Sequence, residues 1–143
     1  MPAPSVLDTL QQLASKDVDE AADALAAANR RVQQAHEQLA MLQGYRQDYL
    51  DKLSRQLAAG LDVKAYQNFQ RFMRMLDQAI AGQQEAVQAA ERQAQLDLAE
   101  WRESHKKMRS YEVLSERSQD KLRRTELKKE QKLMDEHAMR NRK

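Results

Sequence analysis

The stretch Ala58-Ala59-Gly60-Leu61-Asp62 is the one place where the hydrophobic pattern of this 143-residue chain is interrupted. Glycine readily adopts the left-handed conformation that ends many helices, and aspartate is a favoured capping residue for a helix that follows. The chain has only 3 Gly and 2 Pro, and both prolines precede Ser5, so the sequence offers no other credible turn. This stretch therefore predicts a bend between two long helices.

Upstream of the bend, apolar residues recur in steps of three and four. Ten of the eleven positions that follow this rule are apolar: Val18, Ala21, Leu25, Ala28, Val32, Ala35, Leu39, Leu42, Arg46, Tyr49 and Leu53. These residues form a stripe along one side of a helix, which we call the seam. A seam that repeats every 3.5 residues predicts a helix that supercoils around a partner. Leu7, Leu10 and Ala14 extend the seam toward the start, where Ser5 or Asp8 is expected to cap the helix.

The same spacing resumes downstream of the bend. Ten of its thirteen positions are apolar: Phe69, Met73, Leu76, Ile80, Gln83, Val87, Ala90, Ala94, Asp97, Trp101, Ser104, Met108 and Tyr111. Two long helices joined by a short turn run antiparallel, and each supplies the seam that the other needs. The sequence thus predicts an all-α, single-domain coiled-coil hairpin about 80 Å long. Helix one spans about 5–59, the turn 60–62 and helix two about 63–135.

A bend centred between Gly60 and Leu61 places side by side residues of the two helices whose numbers sum to about 121. We call this relation the pairing rule. Residues beyond about 115 then have no partner in the first helix. This tail, 115–143, is expected to fray or to await a partner, and it belongs to a basic arm. Residues 102–143 hold 14 Lys+Arg and 8 Asp+Glu, a net charge of +6 in a chain whose total is +2. The arm fits a protein partner, a solvated helix face or nucleic acid, although no aromatic residue follows Tyr111.

Catalytic and metal-binding patterns are missing from the sequence. It has no Cys, no phosphate-binding glycine motif and no HExxH motif, and a two-stranded rod encloses no pocket. The pairing rule places His36 near Glu85 and His105 near Lys16, as solvated helix residues. We expect no enzyme activity, no metal and no cofactor. A signal peptide or membrane span is also not expected. Gly44 and Gly82, inside the helices, either mark a local bend or a close approach, or carry no role.

Aromatic residues are concentrated near the bend. Five of the seven lie within about 16 residues of it: Tyr45, Tyr49, Tyr66, Phe69 and Phe72. The pairing rule places Tyr49 beside Phe72, and Tyr45 beside Leu76. More bulky apolar surface gathers there than a two-stranded seam can bury. It fits either a protein-binding hot spot or side chains packed along the flanks of the seam.

Several groups of residues resemble the FliJ family of bacterial flagellar export proteins across essentially the whole chain. The groups are Leu7-Asp8-Thr9-Leu10, Gln33 to Leu42, Tyr45 with Tyr49, Asn68 to Phe72, Leu76 with Ala79-Ile80, Trp101-Arg102-Glu103 and Lys132 to Glu136. The resemblance implies a cytoplasmic component of the flagellar type III export apparatus, with a fold similar to the coiled coil of the rotary ATP synthase γ subunit. It also implies peripheral association with the cytoplasmic face of the inner membrane at the flagellar base. The free protein is expected to be a monomer.

The resemblance also implies three kinds of partner. The end that carries the termini enters the pore of the hexameric export ATPase, with contacts expected from Leu7, Leu10, Trp101, Arg102, Lys106, Lys107 and Arg109. The export-gate protein FlhA binds a patch that reads Gln38, Leu42, Tyr45, Tyr49, Phe72, Leu76, Ala79 and Gln83 here. Gln83 stands where some members have histidine. Export chaperones are bound and passed on.

Two other classes fit the same architecture. An adaptor of a virulence-type secretion system would share the hairpin, and only the flagellar-like groups of residues argue against it. A nucleic-acid-binding rod would use the basic arm, and its binding to random DNA would fall steeply with salt. Nucleic acid is not expected as a partner of a FliJ-like chain.

Overall fold

The computed structural model describes residues 5–142. Two helices account for nearly all of this range, α1 over Val6–Ala59 and α2 over Val63–Asn141. They pack against each other and no strand occurs within the described range, which confirms the predicted all-α hairpin. α2 runs six residues beyond position 135, where the sequence predicts its end. Lys143, the last residue of the predicted tail, lies outside the described residues.

The chain divides into two compact units. Ala22–Glu100 forms the first, which contains the bend and is called the bend unit. The described parts of Met1–Ala21 and Trp101–Lys143 form the second, called the terminal unit. In the terminal unit, α1 and α2 together line a surface notch made by Asp8, Gln11, Gln12, Ser15, Met108 and Glu112. The helices are therefore neighbours in this unit as well.

The first helix begins with a reciprocal cap. The backbone N–H of Asp8 donates to Ser5 Oγ over 3.1 Å, and the N–H of Ser5 donates to Asp8 Oδ2 over 3.3 Å. This exchange satisfies backbone donors that the first turn of a helix leaves without partners. Both residues that the sequence suggests as alternative caps thus take part.

The bend has the predicted chemistry. Gly60 has a φ of 95°, a left-handed conformation that residues with a Cβ rarely adopt. The N–H of Gly60 donates to the carbonyl of Leu57 over 3.3 Å, and α1 ends at Ala59, one residue before Gly60. Asp62 then caps α2, because its Oδ1 accepts the N–H of Ala65 over 2.8 Å. Gly60 and Asp62 fix the reversal of the chain.

The predicted seam is the least exposed part of both helices. Every predicted position from Val18 to Leu53 and from Phe69 to Tyr111 is buried or half-buried. Leu10 is an exception upstream, because it is exposed while Gln11 is half-buried. Steps of four and three residues alternate along the seam. A step of four from Leu7 reaches Gln11, and a step of three from there reaches Ala14, so Gln11 takes the position that was predicted for Leu10.

Residue size along the seam changes within α1. In heptad letters, with a and d in the seam, four successive d positions are buried alanines: Ala14, Ala21, Ala28 and Ala35. The next two d positions, toward the bend, are Leu42 and Tyr49, and both stay half-buried. A tyrosine exceeds the space that one layer of a two-helix seam encloses. Part of its ring therefore reaches the surface beside the seam.

Burial ends abruptly in the last part of α2. Ser115 is half-buried, and every residue from 116 to 142 is exposed. The pairing rule predicts this boundary, since the first helix supplies no residues opposite the tail. The tail is nevertheless helical to Asn141, with local contacts such as Thr125 Oγ1 to the carbonyl of Lys121 at 2.9 Å. Here the helix is maintained by backbone hydrogen bonds and local side-chain contacts alone.

Candidate protein-interaction surface

Three aromatic rings meet in the bend unit. The ring centroid of Tyr49 lies 4.7 Å from that of Phe69 and 4.3 Å from that of Phe72. The pairs are tilted by 48° and 37°, within the range of favourable aromatic contacts. Phe69 is buried and acts as the floor on which Tyr49 packs. The predicted proximity of Tyr49 and Phe72 is confirmed.

The residues that the resemblance singles out in the bend unit share one side of the hairpin. In the heptad register of the seam they occupy only d and g positions: Gln38, Leu42, Tyr45, Tyr49, Phe72, Leu76, Ala79 and Gln83. In an antiparallel pair, g residues of the two helices face each other on one flank, and e residues face each other on the opposite flank. We call this set of eight residues the aromatic face.

Exposure divides the aromatic face into a floor and accessible groups. Leu76 is buried, and Leu42, Tyr49 and Gln83 are half-buried, so these d residues serve mainly to hold the surface together. The g residues are exposed. Tyr45 keeps 54% of its surface accessible and Phe72 keeps 41%. Large exposed aromatic side chains on a packed base are typical of protein-binding hot spots.

One polar residue of the seam joins the two helices. Gln83 Nε2 donates to the backbone carbonyl of Ala35 over 3.0 Å and to Gln38 Oε1 over 3.2 Å. The amide nitrogen is satisfied, so a glutamine at a seam position carries no unpaired donor. This contact brings Gln38 and Gln83 together at one end of the aromatic face.

The opposite flank of the bend unit carries ion pairs. Arg46 Nε lies 2.7 Å from Asp77 Oδ1, and His36 Nε2 lies 2.9 Å from Glu91 Oε1. The partner of His36 is thus Glu91 rather than Glu85, the residue that the pairing rule places beside it. His36 and Glu91 both occupy e positions, and helical side chains lean toward the N-terminus of their own helix. Residues that meet on this flank therefore have numbers that sum to more than 121.

Two exposed methionines widen the aromatic face beyond the residues that the sequence indicates. Met41 and Met75 occupy c positions, next to g on the helix surface, and most of each side chain is accessible. The sequence spacing indicates that the two methionines adjoin the aromatic face, because Met41 precedes Tyr45 by four residues and Met75 follows Phe72 by three. Flexible thioether side chains adapt readily to a partner's surface.

The residues expected to contact the ATPase pore all belong to the terminal unit. Leu7 and Trp101 are half-buried, and the indole of Trp101 stacks on His105 with centroids 5.2 Å apart. Leu10 and the basic residues are exposed, namely Arg102, Lys106, Lys107 and Arg109. The described structure thus leaves positive charge accessible along this part of α2.

Arg109 is the basic residue of this group with a defined acidic neighbour. Its Nη1 lies 2.8 Å from Glu112 Oε2. The hydrogen bond to Glu112, followed by the charges of Glu112 and Glu116, raises the pKa of the Arg109 guanidinium above its ordinary value. Arg109 also lines a shallow groove on α2 with His105, Lys106, Ser110, Val113, Leu114 and Arg117. This groove combines a basic rim with an apolar base.

The described residues lack both a group suited to holding a metal ion and a helix that could cross a membrane. Within residues 5–142, no group of three or more His, Cys, Asp or Glu side chains is placed to hold a metal ion. No helix in that range is long and apolar enough to cross a membrane. A Cβ added to Gly44 or Gly82 would meet nothing within 4 Å, so neither glycine marks a close approach.

Comparison with known proteins gives consistent relatives. A family model described as Flagellar FliJ protein matches residues 4–142. The Flagellar FliJ protein of Escherichia coli strain K12 is 34% identical over 134 residues, which cover 94% of this chain and 91% of the relative. The Flagellar FliJ protein of Salmonella typhi is 35% identical over 136 residues, again 94% of this chain and 91% of the relative.

Proposed function

Because this chain belongs to the FliJ family of flagellar proteins, we propose that it is a non-enzymatic component of the flagellar type III protein export apparatus. In this proposal it acts in the cytoplasm at the inner face of the membrane. It links the hexameric export ATPase to the export-gate protein FlhA and escorts export chaperones. The observation that carries the proposal is the family match over nearly the whole chain, together with an exposed aromatic face on a two-helix support.

The aromatic face is the proposed FlhA contact. Tyr45 and Phe72 are its accessible anchors, and the buried Leu76 holds the base beneath them. Aromatic side chains lose little conformational entropy when they are bound, and they bury a large area. A linker segment of FlhA that covers these rings would remove them from water and gain the hydrophobic free energy.

Replacing Tyr45 and Phe72 together by Ala tests this contact. Affinity for a recombinant FlhA fragment containing the linker should fall by about 30-fold or more, as measured by titration calorimetry. Leu96→Ala is the matched control, because Leu96 is an exposed apolar residue of the same unit that lies outside the aromatic face. Circular dichroism should show unchanged helicity for all variants. Equal losses in the double variant and in Leu96→Ala would contradict the assignment.

The terminal unit is the proposed ATPase contact. Its exposed basic residues, including Arg102, Lys106 and Lys107, offer charge to the repeated inner surfaces of a hexameric pore. A helical hairpin that touches these surfaces unequally would favour particular nucleotide states and promote ring assembly. The proposed role requires no hydrolytic residue in this chain.

Removal of residues 116–143 tests whether the tail engages the ATPase. We expect lower stimulation of ATP hydrolysis by the purified export ATPase, with FlhA binding retained because the aromatic face is intact. Unchanged stimulation would reject a role for the tail. Co-purification with the ATPase and with each export chaperone, using the full chain, tests the escort role separately.

A further inference from the structure

The bend end of the bend unit is defined here as residues 52–74. It differs in charge from the rest of its unit. It holds five basic residues, Lys52, Arg55, Lys64, Arg71 and Arg74, against the single acid Asp62, a net charge of +4. The remaining residues of the unit, 22–51 and 75–100, hold four basic and nine acidic residues, a net of −5. Positive charge is thus concentrated where the chain reverses.

The basic groups of the bend end are available to a partner. All five are exposed, and none forms an ion pair with another of the described residues. The one acid, Asp62, is directed at the start of α2, where it accepts the N–H of Ala65 over 2.8 Å. Lys52, Arg55 and Lys64 lie within about 13 Å of the reversal along the helix axes.

Exposed aliphatic residues occupy the reversal itself. Val63 keeps 74% of its surface accessible and Leu57 keeps 51%, and Leu61 between them is half-buried. They protrude from the closed end of a two-helix hairpin, which is convex. A protein partner would need a matching recess to cover such a tip, whereas an interfacial lipid layer accommodates one without preformed shape.

We infer that the bend end binds anionic lipid headgroups, with Leu57 and Val63 entering the interface and the basic side chains contacting phosphates. Anionic leaflets attract juxtamembrane Lys and Arg within a Debye length of the surface, and a few apolar residues add to that attraction. The last carbonyls of α1 have no helical partners and need water, so insertion stops at the headgroup level. This inference goes beyond the proposed contacts with FlhA and the ATPase and depends on neither.

The test uses the full chain, which contains no Cys and so accepts a single labelled cysteine. An environment-sensitive fluorophore is attached at Val63→Cys in one sample. In a matched control it is attached at Leu96→Cys, an exposed site in the acidic part of the same unit. Vesicles of phosphatidylcholine alone are compared with vesicles containing 30% phosphatidylglycerol. A blue shift at position 63 with the anionic vesicles only, and none at position 96, is the expected result.

Charge removal identifies which basic residues are responsible. The triple change Lys52→Gln, Arg55→Gln and Lys64→Gln should weaken partition onto anionic vesicles on the order of 100-fold, at about fivefold per basic residue. Replacing Leu57 and Val63 by Ser in the unlabelled chain should also weaken partition. Helicity measured by circular dichroism is the check on folding.

A matched triple change in the tail, Lys128→Gln, Lys129→Gln and Lys132→Gln, removes the same charge elsewhere and should leave the shift at position 63 in place. A loss of partition as large as that caused by the bend variant would overturn the inference. No shift on anionic vesicles would also overturn it. A shift with polyglutamate but not with vesicles would overturn it in favour of an acidic protein surface. FlhA binding, measured separately without lipid, reports on the proposed function alone.

Discussion

The two stretches of α2 before and after Ser115 are both helical, but they are stabilised in different ways. Residues 63–115 bury a regular stripe that includes Phe69, Leu76 and Val87, whereas every residue from 116 to 142 is exposed. In the first stretch, burial of apolar surface adds to the backbone hydrogen bonds. In the second, only local contacts do so. A continuous helix can therefore contain one part that is held by its tertiary partner and another that is free to meet a new one.

The largest expected effect on stability comes from truncating a buried side chain in the paired stretch, residues 63–115. Leu76→Ala should lower the free energy of unfolding by about 2–4 kcal/mol, because it removes a buried side chain and leaves a cavity. Leu127→Ala makes the same chemical change in the unpaired tail, where the side chain is exposed, and should alter stability by less than about 0.5 kcal/mol. Urea unfolding followed by circular dichroism measures both. Similar losses would contradict the distinction between the stretches.

The paired stretch exists because the chain reverses at the bend. Replacing the glycine of the bend and a glycine inside α2 by alanine should change stability in opposite directions. Gly60→Ala should destabilise the hairpin by about 1 kcal/mol, because a Cβ is strained at a φ of 95°. Gly82→Ala should stabilise it by up to about 1 kcal/mol, since the new methyl group meets nothing and alanine favours a helix. Thermal unfolding of the two single variants separates them. A stabilising Gly60→Ala would show that the reversal does not need this conformation.

The cap of α2 is the next test of the bend. Asp62→Ala should cost about 1 kcal/mol, because the N–H of Ala65 loses its side-chain acceptor. Asp48→Ala removes the same charge from a position inside α1, away from either end, and should cost less. Chemical denaturation of both variants gives the comparison, and equal effects would mean that charge, rather than capping, is responsible.

The smallest effect is expected from removing the unpaired stretch. A chain that ends at Ser115 should unfold with a free energy within about 0.5 kcal/mol of the full chain, because residues 116–142 are all exposed. In the full chain, amide hydrogen exchange should be fast in the tail and slow around Leu76. Slow exchange throughout 116–142 would reveal a stabilising contact and remove the contrast.

Much of this fold follows from the spacing of apolar residues. Each predicted seam residue from Val18 to Leu53 and from Phe69 to Tyr111 is shielded, and pairing stops at Ser115 as the position of Gly60 requires. The period of a helix fixes which residues share a face, so these predictions need no tertiary information. Leu10 was misplaced because its polar neighbour Gln11 lies four residues after Leu7 and three before Ala14, so the period of the seam selects Gln11 although Leu10 is the apolar residue of the two.

The candidate surface was only partly predictable. The proximity of Tyr49 and Phe72 followed from the pairing rule, whereas the partner of His36 did not. A flank contact depends on the lean and reach of two long side chains, which residue numbers do not contain. Met41 and Met75 were missed for a related reason, since exposure beside a seam depends on how much its neighbours cover.

The sequence by itself determined the two helices, their reversal at Gly60, the seam between them and the point where pairing ends. These features depend on local conformation and on a repeating period, and both are written along the chain. Only the tertiary structure decided which flank carries ion pairs, which residues of the aromatic face are floor and which are accessible, and how Gln83 is satisfied by Ala35. Those outcomes depend on distances between residues far apart in sequence, which are set when the helices pack.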